Sequence, residues 1–243
     1  MYVNYIIFFK KMYKKSSIHV IVLAAGSGKR MQKKKLKQFF LLDDVPIVMY
    51  SIIKLFNALP SASFHIVLPE KKINYWKKLC KKHKFNIPNS VIKGGKNRYN
   101  SVKNALNSFV FSNNDLILIH DSVRPFFTKK LVKRLISSAK KNGHAVPALE
   151  IKDSLREKNE KTENTSSVNR SNFLLTQTPQ VFRAEIISKA YLSEENIQRK
   201  TDDVSLIEEF IFPINLILGE ELNFKITTQK DLELAKIIAK NFK

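Results

Sequence analysis

Cysteine is almost absent from this chain: 243 residues hold one, Cys80. No intrachain disulfide can form and no paired-cysteine metal knuckle exists, which points to a reducing, cytoplasmic setting. Long apolar runs are missing too, and no stretch approaches the ~20 apolar residues of a membrane helix. The apolar cluster Ile6, Ile7, Phe8 and Phe9 is too short for the core of a secretion signal. Its lysines, Lys10, Lys11, Lys14 and Lys15, follow it where a signal would carry charge in front. Residues 1–17 therefore read as a tail, with Met12 as the natural start. Acidic residues are scarce, 21 Asp+Glu against 43 Lys+Arg, for a net charge of +22. A nucleic-acid partner is one reading of that excess. The lysines, however, are dispersed in pairs along the whole chain (Lys71 and Lys72, Lys81 and Lys82, Lys140 and Lys141). Such pairs read as solvated helix faces rather than one binding surface. Glycine is scarce as well, at six residues; neither GxGxxG nor a P-loop occurs, and no nucleophile–base triad stands out.

What is present is an alternation of strand and helix patterns. Residues 18–23, 64–68, 90–92, 116–119 and 144–149 are short apolar runs of the kind buried on both sheet faces. Between them, residues 47–58, 71–84, 98–111 and 128–141 carry helical periodicity, with Pro46 at a first turn and Thr128 as a cap. Repeated strand–helix units of this size predict a mostly parallel sheet with helices on both faces. At 243 residues one large domain is expected, spanning 18–243. The pattern breaks at about 151–172, where a polar, aperiodic stretch predicts a projecting hairpin arm that packs on a second subunit. An extended piece at 174–182, helices near 183–194 and 203–210, a strand at 212–218, an extended piece at 224–227 and a helix at 229–241 complete the reading.

Ligands of such folds bind beyond the carboxyl ends of the strands. That rule brings three segments together. In the first, strand 18–23 runs into Ala24, Ala25 and Gly26, small residues whose N–H groups can line an anion nest. Arg30 and Lys37 follow, with charge for a polyphosphate. In the second, Gly94 and Gly95 permit close approach to a flat base, with Arg98 and Ser101 after them; the Ser101 hydroxyl can bond a ligand or cap the helix. In the third, Asp121 and Arg124 stand at a strand exit. They can pair with each other, or divide their roles between a metal ion or ribose hydroxyl (Asp121) and a phosphate or substrate (Arg124). His120 reads as a satisfied strand-end histidine. Ser154, Arg170, Thr178 and Lys225 fit caps, turns or surface charges when taken singly.

Taken in order, LAAGSGKRM, KQF, GGKNRYNSV, HDSVRP, the Asp153, Ser154, Arg170 and TPQ series, TDD and NFKIT resemble the 2-C-methyl-D-erythritol 4-phosphate cytidylyltransferase family. The resemblance runs from about residue 18 to 240. It implies a Rossmann-like α/β fold of the nucleotide-diphospho-sugar transferase type, with a β-arm exchanged in a homodimer. It also implies transfer of the cytidylyl group of CTP to a sugar-alcohol phosphate with Mg2+, with neither a nucleic acid nor a membrane as partner. Under it, Arg30 and Lys37 would stabilise the transition state at the α-phosphate. Ala24, Ala25, Gly26, Gly95 and Ser101 would hold cytosine and ribose. Asp121 and Arg124 would serve nucleotide, metal or substrate. Ser154 and Arg170 would reach the partner's sugar phosphate, and Thr178 and Lys225 would complete the substrate phosphate site. Leu36, where the family usually has proline, Ser122 with Val123, Ser154 in place of threonine and Lys96 at an often acidic position depart from the pattern. An acceptor such as ribitol 5-phosphate shares the CTP half of such a site.

Overall fold

The computed structural model describes residues 17–26, 36–159, 162, 164–192 and 202–241. The tail and the Met12 start therefore fall, Ser17 apart, outside the described residues.

Strand β1 (Ile18–Leu23) lies inside the sheet, third from the β5 edge. It pairs in parallel with β4 (Ser63–Leu68) on one side and with β6 (Leu116–Asp121) on the other. Strand β5 (Ser90–Lys93) extends the sheet in parallel from β4. Alternation decides which side chains go where. Val20 and Val22 point into one apolar layer with Met49, Ile52, Trp76, Leu131 and Leu135. Ile21 points into the other with Val102, Ala105, Phe182 and Ile187. These strand residues are wholly buried, and each contributes roughly 1.5–3 kcal/mol over an exposed position.

Helices α1 (Ile47–Ala58), α2 (Ile73–Lys82) and α4 (Lys129–Asn142) supply the first layer; α3 (Arg98–Leu106), α5 (Ala184–Leu192) and the one-turn α6 (Val204–Ile207) supply the second. The α4 boundaries are chemically marked. The Thr128 hydroxyl accepts from the Leu131 N–H at 3.1 Å, and Gly143 closes the other end at φ 82°, a left-handed conformation suited to glycine. The terminal helix α7 (Gln229–Asn241) packs Leu232, Ala235 and Ala239 on a third, smaller cluster around Phe126 and Ile226.

The sheet is mostly parallel, as expected, with antiparallel pairing on one side: β11 (Gln180–Arg183) lies between β6 and β7 (His144–Glu150) and runs antiparallel to both. Other details differ from the sequence reading. The piece expected at 174–182 is two strands, β10 (Leu174–Thr176) and β11, parted where Gln177 and Thr178 turn inward and the Thr178-Pro179 peptide is cis. Helix α3 stops at Leu106 because Phe109 leaves the helical path to stack on His65, with ring centroids 3.7 Å apart. The strand expected from 212 is only β12 (Leu216–Leu218), since Pro213 has no N–H to give a ladder, and 224–227 joins no sheet. The arm is a separate two-stranded hairpin, β8 (Leu155–Lys158) with β9 (Thr165–Val168), most of whose residues are exposed. A short hairpin, β2 (Leu41–Leu42) with β3 (Val45–Pro46), precedes α1.

Phe109 closes a buried cluster near the amino ends of the strands. His19 Nδ1 and His65 Nε2 lie 3.1 Å apart, and His65 Nδ1 is 2.7 Å from the Ser90 hydroxyl. Burial, then the neighbouring His19, pushes the His65 pKa down to about 3. An unfolded histidine takes its proton near pH 6.5, so between 6.5 and 3 the unfolded chain binds more protons and acid favours unfolding. Each pH unit below 6.5 costs about 1.4 kcal/mol through this one group, or about 2 kcal/mol by pH 5. Urea unfolding at pH 7 and pH 5 is expected to show that loss, and His65→Leu is expected to lack it. Equal pH dependence in both proteins would contradict the assignment.

Candidate active site

Beyond the carboxyl ends of β1, β5 and β6 opens a cleft of ≈ 410 Å³. Its walls include Ala24, Ala25 and Gly26 after β1, Gly95, Arg98 and Ser101 after β5, and Asp121 at the end of β6. Lys37 and Lys225 complete it from two further segments. The three turns expected at one sheet edge do line one space.

The turn after β1 is held by main-chain and side-chain bonds. Ala24 donates its N–H to Val67 O at 2.8 Å, and Gln38 donates to Ala24 O at 2.6 Å and to Gly26 O at 3.2 Å. Gln38 is buried, and sequence reasoning misses it; its only signal there is its place beside Lys37 in KQF. Among the described residues beyond its chain neighbours, no atom comes within 4 Å of where a Gly26 Cβ would stand. Gly94 and Gly95 answer a different demand. A Cβ at Gly94 would lie 2.4 Å from Ala25 Cβ, and one at Gly95 would lie 2.3 Å from Asn100 Cβ. Only glycine lets the β5 turn close against the β1 turn and onto α3. Ser101 accepts from Gly95 N–H at 3.1 Å and donates to Asn97 O at 2.8 Å, so its hydroxyl proton is used within the loop. The helix cap is Asn97, whose side chain accepts from Asn100 N–H, so Ser101 instead ties the Gly95 turn to the first turn of α3.

Charge gathers around Asp121. Lys225 Nζ lies 2.6 Å from Oδ2, and Arg98 Nε lies 3.6 Å from Oδ1. Burial opposes ionisation of this carboxyl, but the Arg98 and Lys225 charges override it and hold its pKa well below the usual carboxylate range. Arg98 also forks onto Asp203, Nη1 to Oδ1 at 2.7 Å and Nη2 to Oδ2 at 2.5 Å. Asp203 is wholly buried and also accepts from the Tyr191 hydroxyl at 2.6 Å. In the sequence Asp203 reads as a plain helix start in TDD; it does stand at the start of α6, but its side chain makes no cap bond there, and Asp202 accepts from Ser205 N–H instead. Lys225 is delivered by its neighbours: Ile226 is buried and donates its N–H to Val123 O at 2.9 Å. Lys37 Nζ reaches Ile226 O at 3.2 Å, which brings both lysines to one wall.

Other expected residues lie elsewhere. Arg30 is outside the described residues. Arg124 does not pair with Asp121; it donates from Nη1 to Asn223 O at 2.9 Å, behind the cleft. Thr178 is buried beneath Asp121, where its hydroxyl accepts from Asp121 N–H at 3.0 Å. It is not on the cleft wall, which corrects the phosphate-site role expected of it. Ser154 and Arg170 are on the exposed arm, with Arg170 donating to Lys152 O. His120 is fully buried; burial pushes its pKa down to about 3, in keeping with a satisfied strand-end histidine.

Residues 18–241 match the family model described as 2-C-methyl-D-erythritol 4-phosphate cytidylyltransferase. The chain belongs to this family. A member from Azobacteroides pseudotrichonymphae, so named, is 40% identical over 223 residues, covering 90% of this chain and 97% of that protein. One from Bacteroides thetaiotaomicron is 33% identical over 219 residues, covering 90% and 98%. The crystal structure of the Thermus thermophilus cytidylyltransferase superposes with a TM-score of 0.73 at 27% identity, covering 91% of this chain and 98% of that one. The α/β architecture with its mixed, mostly parallel sheet is thus that of the cytidylyltransferases.

Among the described residues, no group of three His, Cys, Asp or Glu side chains could cage a metal ion. One ionised carboxylate, Asp121, faces the cleft. That donor set suits an ion held mainly by substrate phosphates with one protein carboxylate, the usual manner for Mg2+. No described helix is long and apolar enough to cross a membrane.

Proposed function

We infer that this protein transfers the cytidylyl group of CTP to 2-C-methyl-D-erythritol 4-phosphate, in isoprenoid biosynthesis. The products are 4-diphosphocytidyl-2-C-methyl-D-erythritol and pyrophosphate. The observation that carries the reading is one sheet-edge cleft lined by Lys37, Lys225 and Arg98, the last two against the Asp121 carboxylate, in a chain of this family.

The chemistry accounts for those residue types. A phosphate monoester oxygen attacks the α-phosphorus of CTP, a P–O bond forms, and the bond to pyrophosphate breaks in line. The attacking monoester is largely ionised at neutral pH, so no general base is required. The obstacle is repulsion between two anions, and fixed cations remove it. Lys37, with Arg30, stabilises charge at the α-phosphate. Ala24, Ala25, Gly26, Gly95 and Ser101 form the nucleoside side. Lys225 belongs to the sugar-phosphate side, where Arg170 and Ser154 of a second copy's arm join it, and Arg124 supports that side from behind through Asn223 O. Asp121 would hold a divalent cation, Mg2+ in this reading, which when bound would offset charge on the triphosphate. The protein works as a cytoplasmic homodimer with exchanged arms, without a nucleic-acid or membrane partner.

CTP-dependent pyrophosphate release in the presence of 2-C-methyl-D-erythritol 4-phosphate tests the reading. Release with ribitol 5-phosphate instead would reassign the acceptor, and RNA retention without any release would overturn the enzyme reading. Arm exchange has its own test. Arg170→Ala and Lys37→Ala proteins, each inactive alone, are to be mixed under conditions that reassort subunits. A mixed dimer then has one site with both lesions and one with neither, so random pairing restores about one quarter of wild-type activity. No recovery after verified reassortment would place Arg170 in its own subunit's chemistry or outside it.

A further inference from the structure

His120 touches neither the cleft nor solvent, yet it closes a ring of hydrogen bonds behind the charged floor. Asp121 N–H donates to Thr178 Oγ1 at 3.0 Å, and Thr178 Oγ1 lies 3.2 Å from His120 Nδ1. On the other side of the imidazole, Nε2 lies 3.1 Å from Arg124 O. Arg124 Nη1 donates to Asn223 O at 2.9 Å, and Asn223 Nδ2 donates to Thr178 O at 2.9 Å, which closes the ring.

Two directions in this ring are fixed. A backbone N–H only donates and a carbonyl only accepts. Thr178 Oγ1 therefore receives the Asp121 proton while it faces His120 Nδ1. Arg124 O can only accept, so His120 carries a proton on Nε2 and gives it to that carbonyl. The ring joins three distant pieces of chain: the end of β6, the turn before β11 and the segment after Asn223. Those pieces bear Asp121, next to His120, and Lys225, two residues past Asn223. Both project into the cleft and meet at 2.6 Å. The ring edge of His120 against Phe127, centroids 4.8 Å apart, leaves the imidazole little room to turn.

We propose that His120 is a positioning residue for cytidylyl transfer: with a proton on Nε2, it fixes Asp121 and Lys225 relative to one another through Thr178 and Arg124. It touches no substrate. The side chain is legible in the sequence only as a satisfied histidine, because the partner that completes the ring, Thr178, is 58 residues away.

The proposal rests on the cytidylyl-transfer reading, and wild-type activity with CTP and 2-C-methyl-D-erythritol 4-phosphate tests that reading separately. His120→Phe keeps the ring and its contact with Phe127 but removes both nitrogens. In the folded fraction of the full-length variant, kcat is expected to fall about 10²-fold, the cost of misplacing a reacting group by about 1 Å, with KM for CTP within about threefold of wild type. Thr178→Val removes the same link from the other side. The double variant is expected to lose no more than the larger single loss, because the two act as a unit. A folded His120→Phe protein with kcat within about threefold of wild type, or losses that multiply in the double variant, would overturn the proposal. Should His120→Phe fail to fold, nitrogen NMR of the wild-type imidazole decides: Nε2–H is the expected tautomer, and Nδ1–H would refute the ring.

Discussion

Lys37→Ala is expected to lower kcat about 10²–10³-fold while leaving the melting temperature nearly unchanged. The size follows from the chemistry at phosphorus. Negative charge builds on the oxygens around the α-phosphorus and on the departing pyrophosphate, and a fixed ammonium group answers it without reorganising. Such a group contributes about 3–4 kcal/mol to the barrier, which converts to that range of rate. The stability side follows from position. Lys37 is half-buried at the start of a single 3₁₀ turn, where its ammonium group donates to Ile226 O at 3.2 Å. The residues that anchor this turn are its neighbours, Gln38 and Phe39, which are buried. Steady-state kinetics beside calorimetry separates the two effects. Wild-type turnover in the variant would remove Lys37 from the mechanism, and a large drop in melting temperature would mean that its main work is structural.

Asp203→Ala is expected to do the opposite, striking the fold first. This carboxylate is wholly buried and takes both forks of Arg98 together with the Tyr191 hydroxyl. Burial opposes the Arg98 charge, and the Asp203 and Asp121 carboxylates more than compensate, raising its pKa well above the usual value. Removing one partner leaves a cation without its counter-charge, which costs about 3–5 kcal/mol. For a domain of this size that is a fall in melting temperature on the order of 10 °C. Activity should fall as well, because Arg98 is then left to Asp121, whose other neighbour is Lys225. Arg98→Met with Asp203→Leu removes both charges and should recover much of the stability but not the activity. An Asp203→Ala protein that melts with the wild type would show that the pair contributes little to the fold.

The contrast between these two residues marks the limit of what a sequence makes legible. Strand β1 and helix α1 have the boundaries expected from the sequence, and so does α7. A run of buried strand residues and a 3.6-residue stripe are local signals, carried by the very residues that form the element. The cleft is legible to the same extent, because its turns each follow a strand and the sheet edge gathers them. Strand direction is not. Nothing in QVFR tells that β11 enters antiparallel between β6 and β7, since its burial is the same in either direction. Long-range polar pairing is also hidden. Arg98 and Asp203 are 105 residues apart, Lys225 and Asp121 are 104 apart, and no local pattern marks either pair. Phe109 misleads for the reverse reason: it keeps helical spacing with Val102 and Ala105, yet tertiary stacking on His65 draws it away.

The glycine turns bear on how this cleft can be blocked. Gly94 and Ala25 are packed so closely that one added methyl group has nowhere to go, and Gly95 is equally confined against Asn100. A compound gripping the main chain there would meet a surface that cannot be remodelled by exchanging side chains. Escape by point mutation would have to break the very turns that line the cleft.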